Sequence, residues 1–171
     1  VPRERGFLKK DEWYSKNNIE WLAGEVCVRV DTKNKFVELS NGREYPYDKL
    51  LIATGGEART IGDELREVSY LRTLDDADHL LKLIAEQGKD ARGGIYGSGF
   101  IACEYLNLFK HYSIPTVLAF RSGQFWRKVL TPEVSTLVTK HLIDQGVEVY
   151  PNAPLKEFIG DKELTGFETE K

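Results

Sequence analysis

"GGIYGSGFIACEY", residues 93–105, is the stretch on which the reading of the chain turns. Gly97, Gly99 and Ala102 stand at the spacing Gly-x-Gly-x-x-Ala, with Ser98, Phe100 and Ile101 between them, after a short apolar run and before a stretch of helical periodicity. At a strand-to-helix turn the first glycine permits the tight bend and the second lets the backbone approach a diphosphate. The third position stays small so that the helix can pack on the strand. Free N–H groups and the positive end of the helix dipole then face the phosphates. The alternative is that these glycines serve turn geometry alone. Gly94 stands where a strand would favour a β-branched residue.

Working outward, Ile101, Tyr105, Leu108, Phe109 and Tyr112 are expected on one side of the helix that follows, and Thr116–Phe120 is the next strand. Thr131-Pro132 opens another helix, with Val134, Leu137, Val138 and Leu142 inward and Gly146 as its stop, before the strand 147–150. Upstream, Thr73 and Asp76 form a capping pair for a helix with Leu74, Ala77, Leu81, Ile84 and Ala85 on its apolar face and Gly88 at its end. The order strand, helix, strand, helix, strand implies right-handed crossovers and a parallel sheet, so the fold class is α/β and Rossmann-like.

The chain before residue 60 reads differently. Residues 24–31 and 35–56 alternate in polarity around the turn signal Ser40-Asn41-Gly42, as in a hairpin or meander. Leu50-Leu51-Ile52-Ala53 is a continuous apolar run expected to be a strand buried on both faces. The charged connector 57–70 suggests a boundary, giving one domain over 1–60 and a nucleotide-binding domain over 61–171.

The end of the second parallel strand reports on the adenosine ribose. A carboxylate there would bond the 2′-hydroxyl of NAD, whereas an arginine accommodates the 2′-phosphate of NADP. Phe120-Arg121-Ser122 occupies that place, and Arg127 and Lys128 follow. NADPH is therefore favoured over NADH, unless these cations only solvate a loop.

Composition narrows the classes. With 41% hydrophobic and 30% charged residues and a net charge of −3, nothing suggests a nucleic-acid groove or a membrane surface, and no apolar run is long enough to span a bilayer. The start lacks the apolar core of a secretory signal, so a cytoplasmic location is expected. Cys27 and Cys103 show no metal-ligand or redox-pair spacing and read as small buried fillers, and His79, His111 and His141 read as ordinary helix positions.

These residues resemble the two-dinucleotide-binding flavoproteins, the pyridine nucleotide-disulfide oxidoreductase superfamily. "YDKLLIATGG" (47–56) looks like the family's Ala-Thr-Gly segment, "YLRTLDDADHLLKLI" (70–84) like the helix leading into the NAD(P)H domain, and "GSGFIACE" (97–104) like its glycine turn with glutamate. The segments 42–56 and 147–153 resemble the apoptosis-inducing factor and rubredoxin reductase branches. Arg121 and Arg127 fall where glutathione reductase-like enzymes place their phosphate-binding arginines. By that resemblance Ala53, Thr54 and Gly55 pass near FAD, the strand around Val26 and Cys27 meets its adenine, and Glu104 lies toward the nicotinamide. Glu104 is otherwise an ordinary carboxylate near a helix start.

The resemblance also implies an internal fragment: a β-rich piece of an FAD-binding domain followed by an NAD(P)H domain truncated at its C-terminus. Such a piece is expected to bind a nicotinamide dinucleotide at best and to turn over nothing. The full-length parent would be an enzyme, passing hydride from NADPH to FAD and electrons on to a disulfide, a redox protein, a quinone or oxygen. A regulatory module of the apoptosis-inducing factor kind, with little turnover, and a structural Rossmann-like module binding no nucleotide are the other readings. A homodimer is expected as the assembly.

Overall fold

The computed structural model describes residues 8–61 and 65–170. Residues 1–7 of the opening stretch and 62–64 of the charged connector lie outside the described residues. The chain divides into two compact units, Val1–Gly56 and Glu57–Lys171.

In the first unit a short helix α1 (Asp11–Lys16) precedes an antiparallel meander of β1 (Cys27–Asp31), β2 (Phe36–Leu39) and β3 (Glu44–Pro46). Each connection has its chemistry. Between β1 and β2 the Asp31 carboxylate accepts the N–H groups of Asn34 at 2.7 Å and Lys33 at 3.0 Å, which holds it below the usual aspartate range and fixes the turn. Between β2 and β3, Gly42 takes a φ of +79° and donates its N–H to the Leu39 carbonyl at 2.9 Å.

Two expectations fail in this unit. Leu50–Ala53 forms no strand and is not buried, with Leu51 86% and Ile52 68% exposed. A strand exists only through its pairing partner, and the three-stranded sheet ends at β3 without reaching these residues. Cys27 is exposed rather than buried, as are its neighbours Val28, Arg29 and Val30 on both faces of β1.

The second unit carries the main core. Helix α2 (Leu74–Gln87) begins at the capping box: Thr73 accepts the Asp76 N–H at 3.1 Å, and the Asp76 carboxylate accepts the Thr73 N–H at 2.6 Å and the Arg72 N–H at 2.9 Å. Strand β4 (Gly93–Tyr96), helix α3 (Phe100–His111), strand β5 (Thr116–Phe120), helix α4 (Pro132–Asp144) and strand β6 (Glu148–Pro151) follow. The strands lie in the order β4-β5-β6, all parallel, with Ile95 beside Leu118 and Leu118 beside Val149. A hairpin of β7 (Leu155–Gly160) and β8 (Leu164–Thr169), not anticipated from the sequence, completes the unit. Leu118, Phe120 and Phe125 are almost wholly buried and join Leu80, Ile95, Ala102 and Phe109 in one cluster.

The helices keep part of their expected faces, with Phe109 in the core and Ile84, Tyr105, Leu108, Val138 and Leu142 packed against it, and depart from them elsewhere. In α2 the buried residues are Leu80 and Leu83, with Leu74, Leu81 and Ala85 outside. In α3 they are Ala102 and Phe109, with Ile101 and Tyr112 outside. In α4, Ser135 is buried while Val134 and Leu137 are exposed. Each sequence has more apolar residues than one face can hold, and small residues, Ala102 and Ser135, are buried in α3 and α4 beside larger ones such as Phe109.

Close packing against β4 explains Gly94. A Cβ at Gly93 would overlap the Phe109 ring, and one at Gly94 would lie 2.9 Å from Cε1 of Phe167 on β8. Successive strand residues face opposite sides, so the two glycines let an aromatic ring lie on each face of β4. Gly93→Ala is expected to cost about 1–3 kcal/mol by overpacking against a buried ring, measured as the urea unfolding midpoint. Gly94→Ala should cost less and become neutral when combined with Phe167→Ala; a cost that persists in the double variant would dissociate Gly94 from that ring.

The capping box gives a pH dependence. The N–H groups of Thr73 and then Arg72 hold the Asp76 carboxyl below its usual range, so its stabilising contribution is complete above the unfolded aspartate value of about 4 and is lost as pH falls through the lower folded value. Between about pH 5 and pH 2 the unfolding midpoint of Asp76→Asn should therefore fall less steeply than that of the unaltered chain.

Candidate functional site

Strand β4 delivers the chain to Gly97, whose φ of +130° is a conformation open in practice to glycine. Its N–H donates to the Ala119 carbonyl at 2.8 Å, so the turn starts while the chain is still tied to β5. Gly99 is the N-cap of α3 and accepts the Cys103 N–H at 3.3 Å. The amides of Phe100, Ile101 and Ala102 belong to the first turn, where no intrahelical acceptor exists.

The three long helices treat these orphan amides differently. The Thr73 side chain and the Asp76 carboxylate close the start of α2, and Thr131 accepts the Val134 N–H at 3.4 Å at the start of α4. Acidic residues stand in the first turn of both. Helix α3 has neither a side-chain cap nor an acid in its first turn. Its positive end therefore faces outward without compensation from its own side chains.

The glycines differ in what requires them. Gly93 and Gly94 make room for rings, and Gly97 takes its positive φ. Gly99 has φ −107° and ψ −166°, extended backbone that any residue adopts, and a Cβ there would meet nothing within 4 Å. Nothing in the protein's own packing asks for glycine at 99. An approaching ligand would, since a side chain there would project into the space in front of the α3 amides. Ala102 is buried within the core cluster, where a small side chain lets α3 lie close to the sheet. The turn and helix start thus fit an extended diphosphate.

Around the turn, Phe100 is 66% exposed and Ile101 is also exposed, while Glu104 lies exposed in the second turn of α3. Burial, and then the neighbouring Glu104, push the Cys103 thiol up, so it is no ready thiolate. Arg121 follows β5 directly, and Arg127 and Lys128 lie a few residues on; all three are exposed and, among the described residues, none is paired with a carboxylate.

The loop between them reaches back to the turn, because the Trp126 N–H donates to the Ser98 carbonyl at 3.0 Å and its ring meets Phe100 edge-on at 4.4 Å. Gly97–Ala102 and the cation-bearing loop are therefore brought together. Trp126 was not singled out from the sequence; an aromatic residue beside Arg127-Lys128 after a strand was the available signal.

Ala53, Thr54 and Gly55 belong to the other unit, in exposed chain without regular structure, with Gly55 at φ +72°. Two clefts lie elsewhere in the second unit: one of about 260 Å³ beside Ser135 and Thr139 of α4, and one of about 410 Å³ between the C-terminal ends of α3 and α4, beside Asn107, Lys110 and His141. Neither is lined by the glycine turn, although Gly123 and Gln124 of the loop that carries the cations line the first. Among the described residues no cluster of acids, histidines and cysteines could hold a metal, and no helix is long and apolar enough to cross a membrane.

Against known proteins, the family described as pyridine nucleotide-disulphide oxidoreductase matches residues 4–171. The chain is 31% identical over 156 residues to a rubredoxin-NAD(+) reductase of Pseudomonas putida, covering 90% of this chain and 40% of that protein. Its fold resembles a ferredoxin reductase from Rhodopseudomonas palustris, with a TM-score of 0.84 at 21% identity, over 96% of this chain and 41% of that one. It also resembles an engineered water-forming NADPH oxidase bound to NADPH, a mutant of the Lactobacillus brevis NADH oxidase, with a TM-score of 0.79 at 21% identity, over 99% and 39% of the two chains. The chain thus spans about 40% of the length of these relatives.

Gly97 and Gly99 should respond differently to substitution. Gly97→Ala should destabilise the chain by about 1 kcal/mol or more through its positive φ, whereas Gly99→Ser, which keeps a favoured residue type at the N-cap of α3, should not lower the thermal midpoint. Equal losses at both positions would mean that Gly99 also serves the fold.

Proposed function

We propose that this chain, which belongs to the pyridine nucleotide-disulphide oxidoreductase family, binds the diphosphate of NADPH on Gly97, Ser98, Gly99 and the first turn of α3. Arg121 and Arg127 take the 2′-phosphate, and Glu104 lies toward the nicotinamide. In the whole protein, the hydride passes from NADPH to FAD and electrons pass on to a redox protein. The observation that carries this reading is Gly99, with its ordinary φ and the empty space where a side chain would stand.

The chain's own residues divide the work. The amides of Phe100, Ile101 and Ala102 supply donors and the end of the α3 dipole, so the diphosphate is held by backbone groups that need no rearrangement. Arg121 and Arg127 supply forked, permanently charged donors to a phosphate dianion. A carboxylate at the end of β5 would repel that dianion, and Phe120-Arg121-Ser122 contains none. FAD, held in the whole protein with help from the Ala53-Thr54-Gly55 segment, supplies the step between hydride and electrons.

The rubredoxin reductase relative is named for NAD(+), which by itself favours NADH. A pattern in the engineered NADPH oxidase supports the other choice. There alanine replaced a glycine; eighteen residues on, alanine, arginine and serine replaced an aspartate, an alanine and a methionine; and five residues beyond the serine an arginine replaced a proline. At the same spacing this chain has Ala102, then Phe120-Arg121-Ser122, then Arg127. Four of the five residues are of the same type, and Phe120, like the alanine, removes the carboxylate.

The names of the relatives, reductases and oxidases, favour turnover over a regulatory role, and rubredoxin and ferredoxin in those names favour a redox protein as acceptor.

Calorimetric titration of the chain with NADPH and, separately, NADH tests the reading. NADPH should bind more tightly, and Arg121→Ala should weaken NADPH by about tenfold or more while leaving NADH nearly unchanged. Binding of neither nucleotide would overturn the site, and tighter binding of NADH would overturn the choice between them.

A further inference from the structure

We propose that Trp126 is a positioning residue for nucleotide choice: it seats the loop carrying Arg127 against the glycine turn, so that the phosphate on the adenosine ribose meets that guanidinium. The inference rests on the reading of residues 97–104 as a dinucleotide site.

Three observations meet at this residue. Trp126 has a φ of +55°, a left-handed conformation that bulky side chains rarely adopt and that persists where the surroundings over-determine it. Its N–H donates to the Ser98 carbonyl at 3.0 Å, while its own carbonyl accepts the N–H groups of Val129 at 2.9 Å and Leu130 at 3.0 Å. Its ring stands edge-on to Phe100, the first residue of α3, with centroids 4.4 Å apart and planes at 87°. The strained conformation thus coincides with the point where the loop touches the middle of the glycine turn and the start of the helix.

The two arginines are held by different means. On the Arg121 side, the Ala153 N–H donates to the Phe120 carbonyl at 3.0 Å and the Asn152 N–H to the Ser122 carbonyl at 3.1 Å, so that end of the loop is tied to the chain leaving β6. Phe125, buried against Phe120, anchors the middle. Arg127 lies beyond those ties, one residue from Trp126 and about 3.8 Å away along the chain. Where Trp126 seats, Arg127 follows. With the ring removed, the backbone bond to Ser98 remains but the left-handed residue keeps its cost and loses its contact with Phe100, so the loop holds Arg127 less firmly against the turn while Arg121 stays.

This asymmetry sets the test, read as the ratio of NADH to NADPH dissociation constants of the full chain, by calorimetry. Trp126→Ala should lower the ratio by about tenfold, as Arg127→Ala does, and the double variant should lower it no further. Trp126→Ala combined with Arg121→Ala should instead be additive, affinity for NADH should change less than about twofold, and Trp126→Phe should retain most of the preference. If Trp126→Ala does not fold, Trp126→Leu, which keeps bulk without a ring, carries the same comparison. An unchanged ratio in the ring-less variant, or equal loss of both nucleotides, overturns the positioning role while leaving the dinucleotide site in place. Binding of neither nucleotide by the unaltered chain overturns both.

Discussion

Strand β4 runs between two aromatic rings, Phe109 over Gly93 on one face and Phe167 against Gly94 on the other, and the second unit is arranged around that approach. With no side chain at either glycine, α3 lies so near the sheet that Ala102 and Phe109 become its buried residues. The same proximity carries the start of α3 straight out of β4 through Gly97, still bonded to Ala119 of β5. The direction of the first-turn amides thus follows from how closely Phe109 can lie on the strand. A bulkier β4 would lift the helix and turn its end away from the carboxyl edge of the sheet, where open α/β folds place their ligands.

The chemistry at that edge is electrostatic and shallow. An uncapped helix start, a turn of small residues and three exposed cations that have no carboxylate partner among the described residues share one region of the surface. A dinucleotide suits such a place because it is long, anionic and gripped along its phosphates rather than enclosed. The loop after β5 contributes by backbone bonds at both ends, through Asn152 and Ala153 on one side and Ser98 on the other.

Much of this was legible in the sequence where local chemistry decides the structure. The capping pair Thr73 and Asp76, the turn at Ser40-Asn41-Gly42, the strand Thr116–Phe120 and the glycine turn all appear where residue type and spacing put them. What failed depended on partners distant in sequence. Leu50–Ala53 has the composition of a buried strand but no strand beside it, and the exposure of Leu74, Leu81, Val134 and Leu137 follows from how the helices meet the sheet. Gly94 looked misplaced until Phe167, far along the chain, was seen against it. Within the candidate site, the glycines and arginines carried recognisable spacing. Trp126 did not, since its importance lies in a φ value and in a bond to Ser98.

The glycines around β4 divide into those the fold requires and one it does not, and this bears on how such a chain can change over generations. A single-base change in the codon for Gly93 strikes the core and is exposed to selection through loss of folded protein. The same change at Gly99 meets open space, so the altered chain remains folded and abundant whatever becomes of its ligand. A lineage could therefore fill the space in front of α3 in one step and keep an intact domain, free to be retained for its surface alone.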